Sequence, residues 1–301
     1  MKNLGKAVIL LSAVLLLTGN SYAGKRKELN KEFEAKENID INTTSGDCII
    51  QQGSADKILV HVEYSVHPED AFNPVFKERK STLKINERWS GSSSGDVIWT
   101  ITVPENTKIE FSTASGDFSM EDAKNDLNIS TASGDVSIDN VTGEFEISTA
   151  SGDVDADDVS GELDISTASG DIKIDDSQAL FELSCASGDI EASRITITEE
   201  SSFSTASGDV EVDLAKTAEY DLDLSAASGD VSLDYNGNEM KGYFELTAKK
   251  RWGGISSSVE FDGEEEFEKH GRTYVRKYFT AGLKEPQINI STASGEIKLK
   301  K

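Results

Sequence analysis

Between residues 109 and 233 the apolar side chains keep fixed distances from a recurring glycine. Seven residues before it stand Ile109, Leu127, Phe145, Leu163, Phe181 and Leu222. Five before it stand Phe111, Ile129, Ile147, Ile165, Leu183, Phe203 and Leu224. Two after it come Phe118, Val136, Val154, Ile172, Ile190, Val210 and Val231, and four after it Met120, Ile138, Ala156, Ile174, Ala192, Val212 and Leu233. Polar residues fill the gaps, which is the period-2 alternation of strands with one buried face. The inward parity is odd before the glycine and even after it, so the glycine marks a corner. Its tolerance of positive φ suits that role. A second parity change falls at Asn140-Val141-Thr142-Gly143 and Asp158-Val159-Ser160-Gly161, which are turn-rich clusters. Each unit is predicted to run strand, corner, strand, turn.

The corner carries one motif, Ser-Thr-Ala-Ser-Gly-Asp, complete at 112–117, 130–135, 148–153, 166–171 and 204–209. Variants stand at 43–47, 184–189, 225–230 and 291–296. Gly116, Gly134, Gly152, Gly170 and Gly188 are 18 residues apart. One such unit cannot bury its apolar face alone, but stacked units can. The expected fold is therefore all-β: a parallel, β-helix-like β-solenoid with 18-residue coils, an irregular N-terminal β segment and a late hairpin-like insertion. Stacked β-hairpins forming a sandwich or prism are the alternative. Thr113, Thr131, Thr149, Thr167 and Thr205 have inward parity, where a threonine ladder is expected, with Cys185 and Ala226 as small replacements.

Five segments follow. Residues 1–23 read as a secretory signal peptide: Lys2 and Lys6, an apolar run over 7–17, and Ser21-Tyr22-Ala23 before the cleavage point. The run is too short for a membrane span, and no later segment is a candidate. Residues 24–110 form an N-terminal β region and cap, with a degenerate repeat at 39–50. Residues 111–235 are the regular solenoid. Residues 236–287 interrupt it, with strands over 243–248 and 273–280. Residues 288–301 supply a final repeat strand, so the insertion is expected to leave and rejoin one stack.

Charge changes the picture of partners. The formal net charge is −25, and residues 111–235 hold 30 acidic against four basic side chains. That argues against nucleic acid and anionic membrane as partners of the molecule as a whole. In 236–287 the balance is nine against nine. The two cysteines, Cys48 and Cys185, fall on inward positions of distant units and read as buried thiols.

Three features carry candidate chemistry. Asp117, Asp135, Asp153, Asp171, Asp189, Asp209 and Asp230 share one offset and would stack about 4.8 Å apart. Either backbone N–H groups hold these carboxylates, or Ca²⁺ does; the repeat lacks the nonapeptide of calcium-binding β-rolls. A stripe of Ser112, Ala114 and their equivalents points outward, as corner packing or as a docking face for a sheet or flat polymer. Lys249, Lys250, Arg251, Trp252, Arg276 and Lys277 cluster in the insertion. They would bind an anionic partner or glycan, or neutralise the acidic solenoid. No catalytic set emerges. Gly91-Ser92-Ser93-Ser94-Gly95 lies between strands, unlike a nucleophile elbow, and His61, His67 and His270 show no zinc-binding spacing.

The signal peptide, the degenerate first repeat, Val103-Pro104 before the regular units, the serial Ser-Thr-Ala-Ser-Gly-Asp and its late return resemble the bacterial putative-adhesin domain of unknown function, which includes LiaG-like envelope proteins. The resemblance covers roughly residues 35–301. It implies a β-solenoid exported to the cell envelope, periplasmic or at the surface, and brings no catalytic residues. The expected function is a non-enzymatic adhesin or interaction module, without a resident cofactor, that meets an envelope protein or glycan. An envelope stress sensor and a carbohydrate-active enzyme on a β-helix are the alternatives.

Overall fold

A computed structural model describes residues 26–53 and 56–301; the signal peptide expected over 1–23 lies outside them. Every regular element in these residues is a strand. The N-terminal region contributes β1 (Lys27–Glu34), β2 (Asn38–Asn42), β3 (Asp47–Gln52), β4 (Lys57–His67), β5 (Phe72–Glu78), β6 (Thr82–Trp89) and β7 (Ser94–Val103). The regular repeats give β8 (Lys108–Thr113), β9 (Phe118–Lys124), β10 (Leu127–Thr131), β11 (Val136–Thr149), β12 (Val154–Asp157), β13 (Ser160–Thr167) and β14 (Ile172–Asp175). They continue with β15 (Gln178–Cys185), β16 (Ile190–Ile197), β17 (Ser201–Ser207), β18 (Val210–Leu214), β19 (Leu222–Ser228) and β20 (Val231–Asp234). The last region holds β21 (Gly242–Lys249), β22 (Gly253–Ser257), β23 (Gly263–Lys269), β24 (Arg272–Ala281), β25 (Gln287–Thr292) and β26 (Gly295–Lys300).

These strands build two parallel sheets joined by the Ser-Gly-Asp corner. The first runs β6-β2-β8-β10-β11-β13-β15-β17-β19-β25-β21. The second runs β7-β3-β9-β11-β12-β14-β16-β18-β20-β26-β22. Strand β11 rounds the second corner and serves both. Equivalent residues stack in register, as in Phe145 on Leu163 and Ile147 on Ile165. The inward rows read from the sequence form one continuous core, in which Phe145, Ile147, Val154 and Ile165 are buried. Each such side chain contributes roughly 2 kcal/mol by leaving water.

Chain order and stacking order differ at both ends. The coil β2–β3 sits between β6–β7 and β8–β9, and β25–β26 sits between β19–β20 and β21–β22. Part of the N-terminal region and part of the insertion thus supply full coils. Antiparallel additions continue the sheets: β4 and β1 beyond β7, β5 beyond β6, and β24 and β23 beyond β21. The aromatic residues Tyr64, Phe72, Phe76, Trp89 and Trp99 seal the first of these ends.

Two corner expectations need correction. The corner glycines Gly116, Gly134, Gly152, Gly170 and Gly188 are not in the positive-φ region. They are required because the coils touch there: a Cβ on Gly134 would overlap the Gly116 carbonyl, and one on Gly152 the Gly134 carbonyl. Positive φ recurs instead at the second corner, at Asp122, Asn140, Asp158, Asp176 and Arg194 (φ 49–54°), while at the first corner Gly208 and Gly229 show it, at +158°. Asn and Asp tolerate this conformation best after glycine. The inward threonines form no Thr–Thr ladder either. Thr131 and Thr149 Oγ1 each accept the N–H of the glycine three residues on, at 2.8 Å. Cys185 instead donates to the Gly170 carbonyl at 3.3 Å. Both cysteines are free and buried, and burial raises both thiols above their ordinary range.

Candidate functional site

The aspartate column stands along the first corner, exposed from Asp117 to Asp209. Each Oδ1 accepts the N–H of its counterpart in the next coil, from Asp47 to Asp117, Asp135 and onward to Glu296, at 2.7–3.1 Å. A charged acceptor makes these stronger than neutral bonds, which offsets repulsion between stacked carboxylates. Lys298 ends the column. Its ammonium lies 2.9 Å from Asp230 Oδ2 and, with the Glu296 N–H, holds that carboxyl below the usual range. Among the described residues the column nowhere gathers three carboxylates within 4.8 Å of one another.

The outward face of the first sheet carries a trough across β15, β17, β19 and β25. Period-2 alternation puts Glu182, Ser202, Asp223 and Asn289 in one row and Ser184, Ser204, Ser225 and Ser291 in the next. One half of the trough, about 620 Å³, is acidic, bordered by Glu182, Glu199, Glu200, Asp221 and Asp223. Burial pushes the Asp223 carboxyl up. The other half, about 510 Å³, lies between the small-residue stripe (Ala206, Ala227, Ala293) and a wall of Phe267, Lys269 and Tyr274. Ser204 and Ser225 line both halves.

The wall comes from the β23–β24 hairpin. Phe267 faces Tyr274 across the two strands, rings stacked 5.7 Å apart. Thr247 on β21 sets Arg276 beside the stripe, and the Arg276 guanidinium lies 4.8 Å from the Phe267 ring. The hairpin therefore flanks the last coils of the stripe as a side wall, where Ala206 and Ala227 stay exposed like Ala114, Ala132, Ala150 and Ala168 and Ala293 is half-buried.

A stack of in-register coils whose corners share Ser-Gly-Asp matches the family Toastrack DUF4097 over residues 36–251. The chain belongs to this Toastrack family. No curated protein matches the Toastrack chain. Similar solved structures include a putative adhesin from Bacteroides fragilis, 14% identical, covering 91% of this chain and 97% of that one, TM-score 0.44. A putative lipid binding protein and a putative adhesin, both from Parabacteroides distasonis, are each 13% identical over 91% of this chain and 97% of theirs, with TM-scores of 0.43 and 0.42.

The basic candidates in the insertion of this Toastrack chain, Lys249, Lys250, Arg251, Arg276 and Lys277, divide into two groups. Lys250 pairs with Glu266, Arg276 with Glu245 and Glu265, and Lys277 with Glu264. These three are matched by acids of the same segment, not by the solenoid's acids. Lys249 and Arg251 have no ion-pair partner among the described residues. Arg251 covers the Trp252 ring at 4.8 Å, and Trp252 is 57% exposed. Gly253 pairs with Gly295, so Arg251 and Trp252 stand where the outermost coil turns the motif corner. Among the described residues no helix is long and apolar enough to cross a membrane. His61 has no zinc-binding spacing in the sequence, yet one of its ring nitrogens lies within 4.8 Å of a carboxylate oxygen of Glu28 and of Glu63. Spacing along one strand could not show this, because Glu63 shares β4 with His61 but Glu28 comes from β1.

Proposed function

We propose that this Toastrack chain is an exported, non-enzymatic interaction module of the cell envelope that grips an extended glycan in the trough of its first sheet. The observation that carries this is the joining of a stacked aromatic wall, Phe267 and Tyr274, to an acidic row through a strip of serines. Aromatic faces take the apolar faces of sugar rings, and fixed carboxylates accept their hydroxyl or amine hydrogens. The strip suits a flat chain lying along the coils. Trp252 and Arg251 mark where such a chain would leave the stack. Export rests on the apolar segment before Ala23.

Co-sedimentation of the purified chain with insoluble envelope glycan tests this. Saturable binding is expected. Phe267→Ala and Tyr274→Ala should each weaken it about tenfold, which is about 1.4 kcal/mol. Asp223→Asn should weaken it without changing the fold. Absence of binding by the folded chain, or full binding by both aromatic variants, overturns the proposal. Release of reducing ends from the glycan overturns its non-enzymatic part.

A further inference from the structure

At the end of the solenoid away from the β23–β24 hairpin, β1 lies antiparallel on β4 and closes the second sheet. The register sets Glu28 opposite Glu63 and Asn30 opposite His61. Leu59, His61 and Glu63 alternate with buried Val60 and Val62, so they project outward, on the same side as Glu28 and Asn30. One donor atom from each of Glu28, His61 and Glu63 lies within 4.8 Å of the other two.

Two of these three ligands are already oriented. His61 Nδ1 lies 2.8 Å from Asn30 Oδ1, which can only accept, so Nδ1–H donates there and Nε2 is the nitrogen left to ligate a metal. Arg26 holds Glu63 Oε2 at 3.0 Å, while Glu63 Oε1 turns toward His61 Nε2 at 3.7 Å. Glu28 has no ion-pair partner among the described residues. An outer partner that fixes the imidazole tautomer, and another that aims the carboxylate, are the supports metal ligands usually have.

We infer that Glu28, His61 and Glu63 form a surface site for a divalent transition ion of the zinc type. One imidazole and two carboxylates suit zinc or cobalt, whereas calcium and magnesium prefer oxygen alone. Ligand bonds of about 2.1 Å in a tetrahedron put donors about 3.4 Å apart, which small side-chain rotations reach from the present spacing. The fourth position faces solvent. Cys48 and Cys185 are buried and do not compete for the ion. Bound metal would clip the edge strand β1 to β4 and reinforce that end of the stack.

The test is a titration of the metal-free full chain with Co²⁺, read by visible absorption, followed by displacement with Zn²⁺. One equivalent with a tetrahedral spectrum is expected, unaffected by millimolar Ca²⁺. His61→Gln should abolish it, and Asn30→Ala should weaken it about tenfold. His67→Gln and His270→Gln should leave it intact. Zn²⁺ should also slow hydrogen exchange of the β1 amides, a readout that diffuse binding to other acidic residues would not move. Absence of a stoichiometric site in the folded chain, or a site indifferent to His61→Gln, overturns the inference.

Discussion

The corner glycine does its work by having no side chain where two coils meet. Gly152 tests this, because a Cβ there would overlap the Gly134 carbonyl while its φ is open to any residue. Gly152→Ala is expected to cost about 3 kcal/mol or more through forced separation of the coils, measured by urea unfolding. The same exchange at Gly237, where a Cβ would meet open space but φ is +79°, should cost only about 1 kcal/mol. The period-18 glycines were legible in the sequence; their reason was not. A recurring glycine looks the same whether it serves torsion or contact, and only the neighbouring coil separates the two. The inward threonines posed a similar ambiguity. Parity placed Thr149 inside, but nothing local shows that its hydroxyl accepts from Gly152 N–H rather than meeting Thr167.

Strand pairing governs the elements. The aspartate column links coils through Asp Oδ1 and the N–H of the following coil, so the acceptor oxygen and the charge are separable. Asp153→Ala removes the acceptor for Asp171 N–H and is expected to cost about 1 kcal/mol. Asp153→Asn keeps an acceptor and removes one repelling charge, so its stability should stay within about 0.5 kcal/mol of the parent. Equal losses in both, by thermal melts at one ionic strength, would show that charge and not the bond matters. The alternation of apolar rows made the regular strands readable. Three things escaped it: the out-of-order coils, the position of the β23–β24 hairpin beside the stripe and the Glu28–His61–Glu63 group. Each depends on which strand is chosen as neighbour, and several edges offer equivalent hydrogen bonds. The opposed charges of Glu264–Glu265 and Arg276–Lys277 were visible in the sequence; that they pair across β23 and β24 was not.

For the molecule as a whole, acidity and stability pull in opposite directions. Burial raises the carboxyls of Asp47, Asp213 and Asp223, while partners lower those of Asp176 and Asp230. A raised carboxyl binds its proton more readily in the folded chain than in the unfolded one. Folding therefore gains as pH falls through the folded value. A lowered carboxyl gives the opposite term, lost only as pH falls through its depressed value. With raised groups in the majority and a net charge of −25, the melting temperature should rise as pH drops from 7 to about 5 and fall again below about 3. Added salt at pH 7 should raise it by screening. A melting temperature that declines steadily from pH 7 to 5 would contradict this balance.

The threading of the final strands has a mechanical consequence. Strands β25 and β26 are bonded on both sides, to β19 and β21 and to β20 and β22. Tension entering beyond Lys300 would meet a strand that two ladders grip at once. An outermost strand could peel from a single neighbour, one bond after another. This one has to shear along two sets of parallel bonds together, so the coil nearest the pull is braced from both flanks.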